Sequence, residues 1–255
     1  ESLFIKSFNL AKSNPSKTGL MVLFDALFFI LVLYVFPAAN QYIAQGIFIT
    51  PTTLSFYLLI FLSLIYYLII ILVYSFFKYI VLDYIKSLFE RTEFSFSRLG
   101  QFYALNIVIA GIFFAIMILA NLLLASIKPQ YRPFVFIALA TPYLLLLYVI
   151  ANVAHSAFYQ GASIKESLKK GFKTTFTKIR IYRETILIMI LFALLLWLLF
   201  LGLGYLIRLT ANNYSLYLRL YSYFTEFSKW SVMVVAYFAI LINRISFYAL
   251  TREEK

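Results

Sequence analysis

Residues Gln160–Glu184 read QGASIKESLKKGFKTTFTKIRIYRE and stand between two long hydrophobic runs. The stretch carries seven of the chain's 22 Lys+Arg residues. Ile164, Leu168, Phe172 and Phe176 recur every four residues, with Ile179 three further on, so one face of a helix would be apolar. Lys165, Lys169, Lys170 and Lys173 lie to either side of that stripe, placed to meet lipid headgroups. Ser163-Ile164-Lys165-Glu166 has the form of a capping box, in which Ser and Glu satisfy each other's backbone amides. The pattern predicts an amphipathic interfacial helix over about 163–180. Half-burying its stripe would supply about 4–6 kcal/mol, against roughly 1–2 kcal/mol of backbone entropy per residue. Only a segment tethered at both ends would stay on the surface.

Working outward, the two tethers decide the class. The chain is 64% hydrophobic and only 13% charged, with a mean hydropathy of +0.91. A soluble domain has about 25% charged residues, so this chain has no polar shell to present to water. Several runs exceed the roughly 18–20 apolar residues that cross a hydrocarbon core. They are continuously apolar and do not alternate, which excludes a membrane β-barrel. The expected fold is therefore all-α: a polytopic membrane helix bundle of six transmembrane helices in a single integral membrane domain. Cysteine is absent, which removes disulfides, thiol catalysis and zinc–thiolate sites.

The spans fall at about 20–38, 53–80, 102–127, 133–158, 184–209 and 229–250, with Pro51 opening the second and Pro133 the fourth. Ile80, Tyr84 and Leu88 continue the second span's spacing as an amphipathic tail. Residues 1–19 form a polar lead-in whose Leu3, Phe4, Phe8 and Ala11 share a helical face. Leu20–Phe36 reads as a retained helix rather than a cleaved signal, being long for one and containing Asp25. A long connection, TANNYSLYLRLYSYFTEFSK, precedes the sixth span and is expected to be partly helical at the interface.

The net charge of +12 does not imply nucleic acid, because the cations gather on one side of the spans. Fourteen Lys and Arg residues between Lys6 and Arg183 fall on that side and five on the other. The positive-inside rule puts both termini in the cytoplasm of a multi-pass cell-membrane protein. The odd spans begin near residues 20, 102 and 184, each after a polar amphipathic segment. That spacing allows three two-helix pseudo-repeats with cytoplasmic amphipathic segments.

Ionisable and amide side chains inside the spans are the candidate functional residues, because hydrocarbon makes them costly. Asp25 and Arg244 lie five to six residues inside the cytoplasmic ends of the first and last spans, where they would meet if those helices are neighbours. Asn106, Asn152, His155 and Asn243 lie at comparable depth, and Asn152, His155 or Ser156, and Tyr159 share one face of the fourth helix. The layer reads either as interhelical glue or as a pocket for a lipid headgroup or solute. His155 is the only histidine and has no neighbouring acid in sequence, so no metal site is expected. Pro142 predicts a kink in the fourth span. Gly111-x-x-x-Ala115 and the Gly202/Gly204 region predict close helix contacts. No HExxH, P-loop, GxSxG or paired-aspartate motif is present, so neither an enzyme nor a cofactor is expected.

Six spans, the lead-in AKSNPSKTG (Ala11–Gly19) and the segment GASIKESLKKGFK (Gly161–Lys173) carry a resemblance. The chain resembles the poorly characterised integral membrane proteins similar to the membrane domain of glycerophosphoryl diester phosphodiesterases. The resemblance implies a six-helix membrane fold whose membrane part is not catalytic, so it brings no active-site residue. Mitochondrial carriers are excluded: Pro37 is followed by AANQ and Pro129 by QYRP, with no acid where that family's odd-helix motif has one. The expected function is a non-enzymatic structural, scaffolding or lipid-interacting role, with membrane lipids as partners and a homo-oligomer or membrane-protein partner also compatible. The alternative is a small transporter or channel using the polar layer.

Overall fold

In hydrocarbon a backbone amide can bond only to the chain itself, so each apolar run closes its hydrogen bonds internally as a helix. A computed structural model describes residues 2–39, 41, 53–92, 94–210 and 213–252. These form eight α-helices: α1 Leu3–Ser13, α2 Pro15–Ile30, α3 Thr53–Ser87, α4 Phe96–Ala125, α5 Arg132–Tyr159, α6 Ile164–Thr177, α7 Ile179–Thr210 and α8 Tyr214–Arg252. A π-helical turn, Leu31–Val35, prolongs α2. Six of the helices are long and apolar enough to cross a membrane, and the chain is a polytopic membrane protein. Pro51, Glu93 and most of the loop expected before Thr52 lie outside the described residues.

The chain gathers into two compact units, Ala11–Thr175 and the combination of Glu1–Leu10 with Phe176–Lys255. In the larger, α2 packs on α3, α3 on α4 and α4 on α5; in the smaller, α7 packs on α8. Short helices precede α2 and α7; among the described residues none stands between α3 and α4, where the chain turns at Leu88–Phe89.

Several helices run further than hydropathy alone indicates. α8 is unbroken from Tyr214 to Arg252, so the connection expected before Trp230 is part of it. No glycine or proline interrupts those residues, and Asn213 caps them by accepting the Leu216 amide at 2.7 Å. α3 continues to Ser87. Ser75, Lys78, Leu82 and Ile85 are buried there, and Ile80, Tyr84 and Leu88 are half-buried. α5 continues through Pro142.

Burial is concentrated at one end of each unit. In the larger it covers Met21 and Asp25 of α2, Ser75–Ile85 of α3, Phe102–Ile109 of α4 and Val149–Tyr159 of α5, while the opposite halves expose their apolar side chains. That exposed belt faces lipid. Phe24 stacks on Tyr84 with ring centroids 5.8 Å apart, and Phe28 meets Tyr74 edge-on at 5.7 Å, fixing the register of α2 against α3.

Two hairpins are closed by the same device. Lys17, in the first turn of α2, donates to the carbonyl of Ser87 at the end of α3. Arg98, in the first turn of α4, donates from Nη2 to the carbonyl of Phe158 near the end of α5 at 2.9 Å, its guanidinium 5.2 Å from the Phe158 ring. A cation there adds a donor to a carbonyl at the helix end and complements the negative end of the helix dipole. Arg180 stands in the first turn of α7, 82 residues after Arg98, which itself stands 81 after Lys17.

α5 ends in a Schellman turn. Ala162 N–H donates to Ala157 O at 3.1 Å and Gly161 N–H to Phe158 O at 3.0 Å, with Gly161 at φ 110°. This sends the chain into α6, which the Ser163–Glu166 box opens. Glu166 Oε2 accepts the Ser163 amide at 2.9 Å, and Ser163 Oγ accepts the Glu166 amide at 3.3 Å. α6 then crosses α5 at Gly171, where a Cβ would stand 2.9 Å from the Ile150 carbonyl oxygen and 3.2 Å from the Ala154 Cβ. The close contact expected at Gly111 is absent, since a Cβ there would meet nothing within 4 Å. Gly204 does make an ordinary contact, with the Phe224 ring. Spacing of small residues alone does not identify the crossing point; Gly171 lies outside the spans, in the basic stretch.

Gly171→Ala should lower the thermal midpoint by an amount equivalent to about 1–2 kcal/mol, overpacking outweighing alanine's helix preference. Gly100→Ala and Gly111→Ala, at open sites, should be neutral or stabilising in the same detergent melt. A second expectation concerns pH. The Ser163 amide and then its hydroxyl hold the Glu166 carboxyl below its usual range. The cap's contribution is thus complete above the ordinary carboxylate pKa and is lost as pH falls through the lower folded value. Amide hydrogen exchange in the first turn of α6 should rise across that acidic window, and Ser163→Ala should shift the onset to higher pH.

Candidate functional site: a buried polar layer beneath an apolar cleft

Three helices of the larger unit each contribute polar side chains to one layer. On α3, Ser75 and Lys78 are one turn apart on the face that also buries Leu82 and Ile85. On α4, Asn106 follows Phe102 by one turn. On α5, Asn152, His155, Ser156 and Tyr159 lie at i, i+3, i+4 and i+7, and all four are buried. Every residue from Asn152 to Tyr159 is buried, so this end of α5 is packed on all sides.

The hydrogen bonds order the layer. Asn106 Nδ2 donates to Ser75 Oγ at 3.0 Å and to its own helix at Phe102 O at 3.1 Å. Ser75 Oγ in turn donates to Ile71 O at 2.6 Å. With the amide nitrogen so committed, Asn106 Oδ1 is the acceptor in its 2.7 Å contact with His155 Nε2, which assigns the proton to Nε2. A single chain of bonds thus runs from α5 through α4 to α3. Beside it, Lys78 Nζ donates to Asn152 Oδ1 at 3.2 Å, while Asn152 Nδ2 donates to Tyr148 O at 2.8 Å. One turn further out, the Tyr159 hydroxyl donates to Asp83, which also accepts from Thr92 Oγ1 at 3.3 Å.

Lys78, which falls within the second span but is not among the candidate polar residues, is only 5% exposed and lies inside the packed end of α3. A buried ammonium is retained only with hydrogen-bonding partners around it. The signal was available in the spacing of Ser75, Lys78, Leu82 and Ile85, a heptad-like seam with two polar members. Asp25 is likewise 5% exposed. The Phe24 and Phe28 ring contacts with Phe77, at 6.4 and 6.1 Å, bring its turn of α2 alongside the turn of α3 that carries Lys78. Asn243 and Arg244 belong to the smaller unit, where Asn243 Nδ2 approaches Met189 Sδ at 3.1 Å. In that unit Ser246 Oγ also donates to Ser7 Oγ at 3.0 Å.

Above the layer, α2, α3, α4 and α5 enclose an open cleft of about 600 Å³. Asn106 and His155 form its polar end, and Val32, Ile70, Phe113 and Leu147 are among its walls. From Asn106 to Phe114 along α4 it extends about 12 Å. Its volume falls within the roughly 300–1,000 Å³ of small-molecule sites. Chemically the arrangement can accommodate a long apolar body with its polar group at the Asn106–His155 end. Among the described residues no group of three or more His, Asp or Glu side chains could hold a metal ion.

Replacing one member of the chain strands its partners in an apolar setting. Asn106→Leu and His155→Phe should each cost about 1–2 kcal/mol, and the double variant less than their sum. Additive losses in detergent melts would show that the 2.7 Å contact carries no coupling. No family model matches the chain, no curated protein matches its sequence, and no solved structure matches its fold.

Proposed function

We propose that this protein is a non-catalytic, lipid-interacting integral membrane protein that seats a single membrane amphiphile in the cleft of its larger unit. The observation that carries the reading is the cleft's lining: mainly apolar side chains along α2–α5, with the Asn106 amide and the His155 imidazole together at one end. A ligand entering from lipid would leave its chain in surroundings equivalent to the bilayer, so affinity would come from packing and from the polar end. The resemblance to membrane domains associated with glycerophosphodiester phosphodiesterases agrees with a lipid-facing role without chemistry of its own. On the positive-inside count, the polar end is the cytoplasmic end and both termini lie on that side. The transporter or channel reading draws less support, because Ser75, Asn106 and His155 are engaged with one another.

The test is lipid retention. Native mass spectrometry of the detergent-purified protein should show one bound lipid per chain. Ala110→Trp and Ala151→Trp, which fill the cleft from α4 and α5, should abolish retention while leaving the thermal midpoint near that of the parent. Undiminished retention in both folded variants would remove the proposal. Solute flux into proteoliposomes that Ala151→Trp blocks would favour the transporter instead.

A further inference from the structure

α6 presents two faces with different company, and its aromatic stripe is not the face it packs with. Ser167, Gly171, Thr174 and Thr175 are buried, and Gly171 makes the crossing with α5. Thr175 Oγ1 is tied back to Gly171 O at 2.8 Å, so the hydroxyl needs no outside partner. Small side chains thus dock the helix, while Phe172 and Phe176 stay exposed. Phe172 is 40% and Phe176 66% exposed, while Lys165, Lys169 and Lys173 are exposed around them.

The height of the crossing decides what this outer face meets. α5 exposes apolar side chains up to Leu146 and is buried from Val149 onward. The crossing at Ile150 and Ala154 therefore sets α6 at the border of the lipid-facing belt. A helix at that height can lay phenyl rings toward hydrocarbon while its lysines extend to headgroup level. Lysines there are complementary to phosphate-bearing anionic headgroups. We propose that the outer face of α6 is a binding surface for anionic phospholipid, with Phe172 inserted below the headgroups and Lys165, Lys169 and Lys173 engaging their phosphates. This surface is separate from the cleft and does not depend on the cleft being occupied.

Because the chain has no native cysteine, Phe172→Cys can carry a unique environment-sensitive fluorophore on this chain in lipid nanodiscs. Spin-labelled phosphatidylglycerol should quench the probe several-fold more than spin-labelled phosphatidylcholine at equal mole fraction. Each Lys→Gln change among the three should reduce that preference roughly fivefold or less, as about 1 kcal/mol per lysine implies, and added salt should weaken it. The triple Lys→Arg variant should retain the preference, separating lost charge from a disturbed helix. A probe at Phe134→Cys, on the far end of α5, should show none. Equal quenching by the two lipids, or an unquenched probe in water, would overturn the proposal.

Discussion

A hydrogen-bonding group withdrawn from water must find its partner within the chain. Backbone amides meet that demand by forming helices, which settles the secondary structure but not how the helices meet. The polar side chains of Ser75, Lys78, Asn106, Asn152 and His155 extend the demand to tertiary structure. Through one amide Asn106 joins α4 to both neighbours, its nitrogen donating to Ser75 of α3 and its oxygen accepting from His155 of α5. Apolar packing between membrane helices is weakly directional, because lipid tails compete for the same contacts. The polar chain supplies the direction, and the Phe24–Tyr84 and Phe28–Tyr74 ring pairs refine the register of α2.

The same economy accounts for where the molecule is closed and where it is open. The end with polar side chains and cationic caps is packed; the opposite halves of α3, α4 and α5 leave Leu64, Leu119 and Ile137 exposed. Helices joined firmly at one end and loosely along the rest leave room between them, and the cleft lined by Phe113 and Leu147 is that room. Its polar end and the layer that holds the unit together share Asn106 and His155.

The class of fold was plain in the sequence because hydropathy alone measures it: six runs too apolar for water need no tertiary information. Asn106, Asn152 and His155 were legible as a layer because amides and imidazole inside a span are costly wherever the helix points. Lys78 was not, since a cation near a helix end serves equally well as a solvated flank, and only its neighbours reveal that it is enclosed. The length of α8 was underestimated because Arg219, Glu226 and Lys229 lower its hydropathy without weakening its helix. The packing face of α6 was hidden for a related reason. The eye follows Phe172 and Phe176, but close approach is governed by what is small, and Gly171 with Thr174 and Thr175 made the contact.

Lys17 and Arg98 each close a hairpin at its foot. A cation at the foot of a hairpin resists passage through the bilayer and so fixes which end stays behind. The same ammonium or guanidinium then closes the hairpin on the returning helix's last carbonyls. On the positive-inside rule, the groups that close these hairpins would also orient them. Charge-shuffling at these positions would confound the two processes, so a loss of orientation and a loss of stability would arrive together.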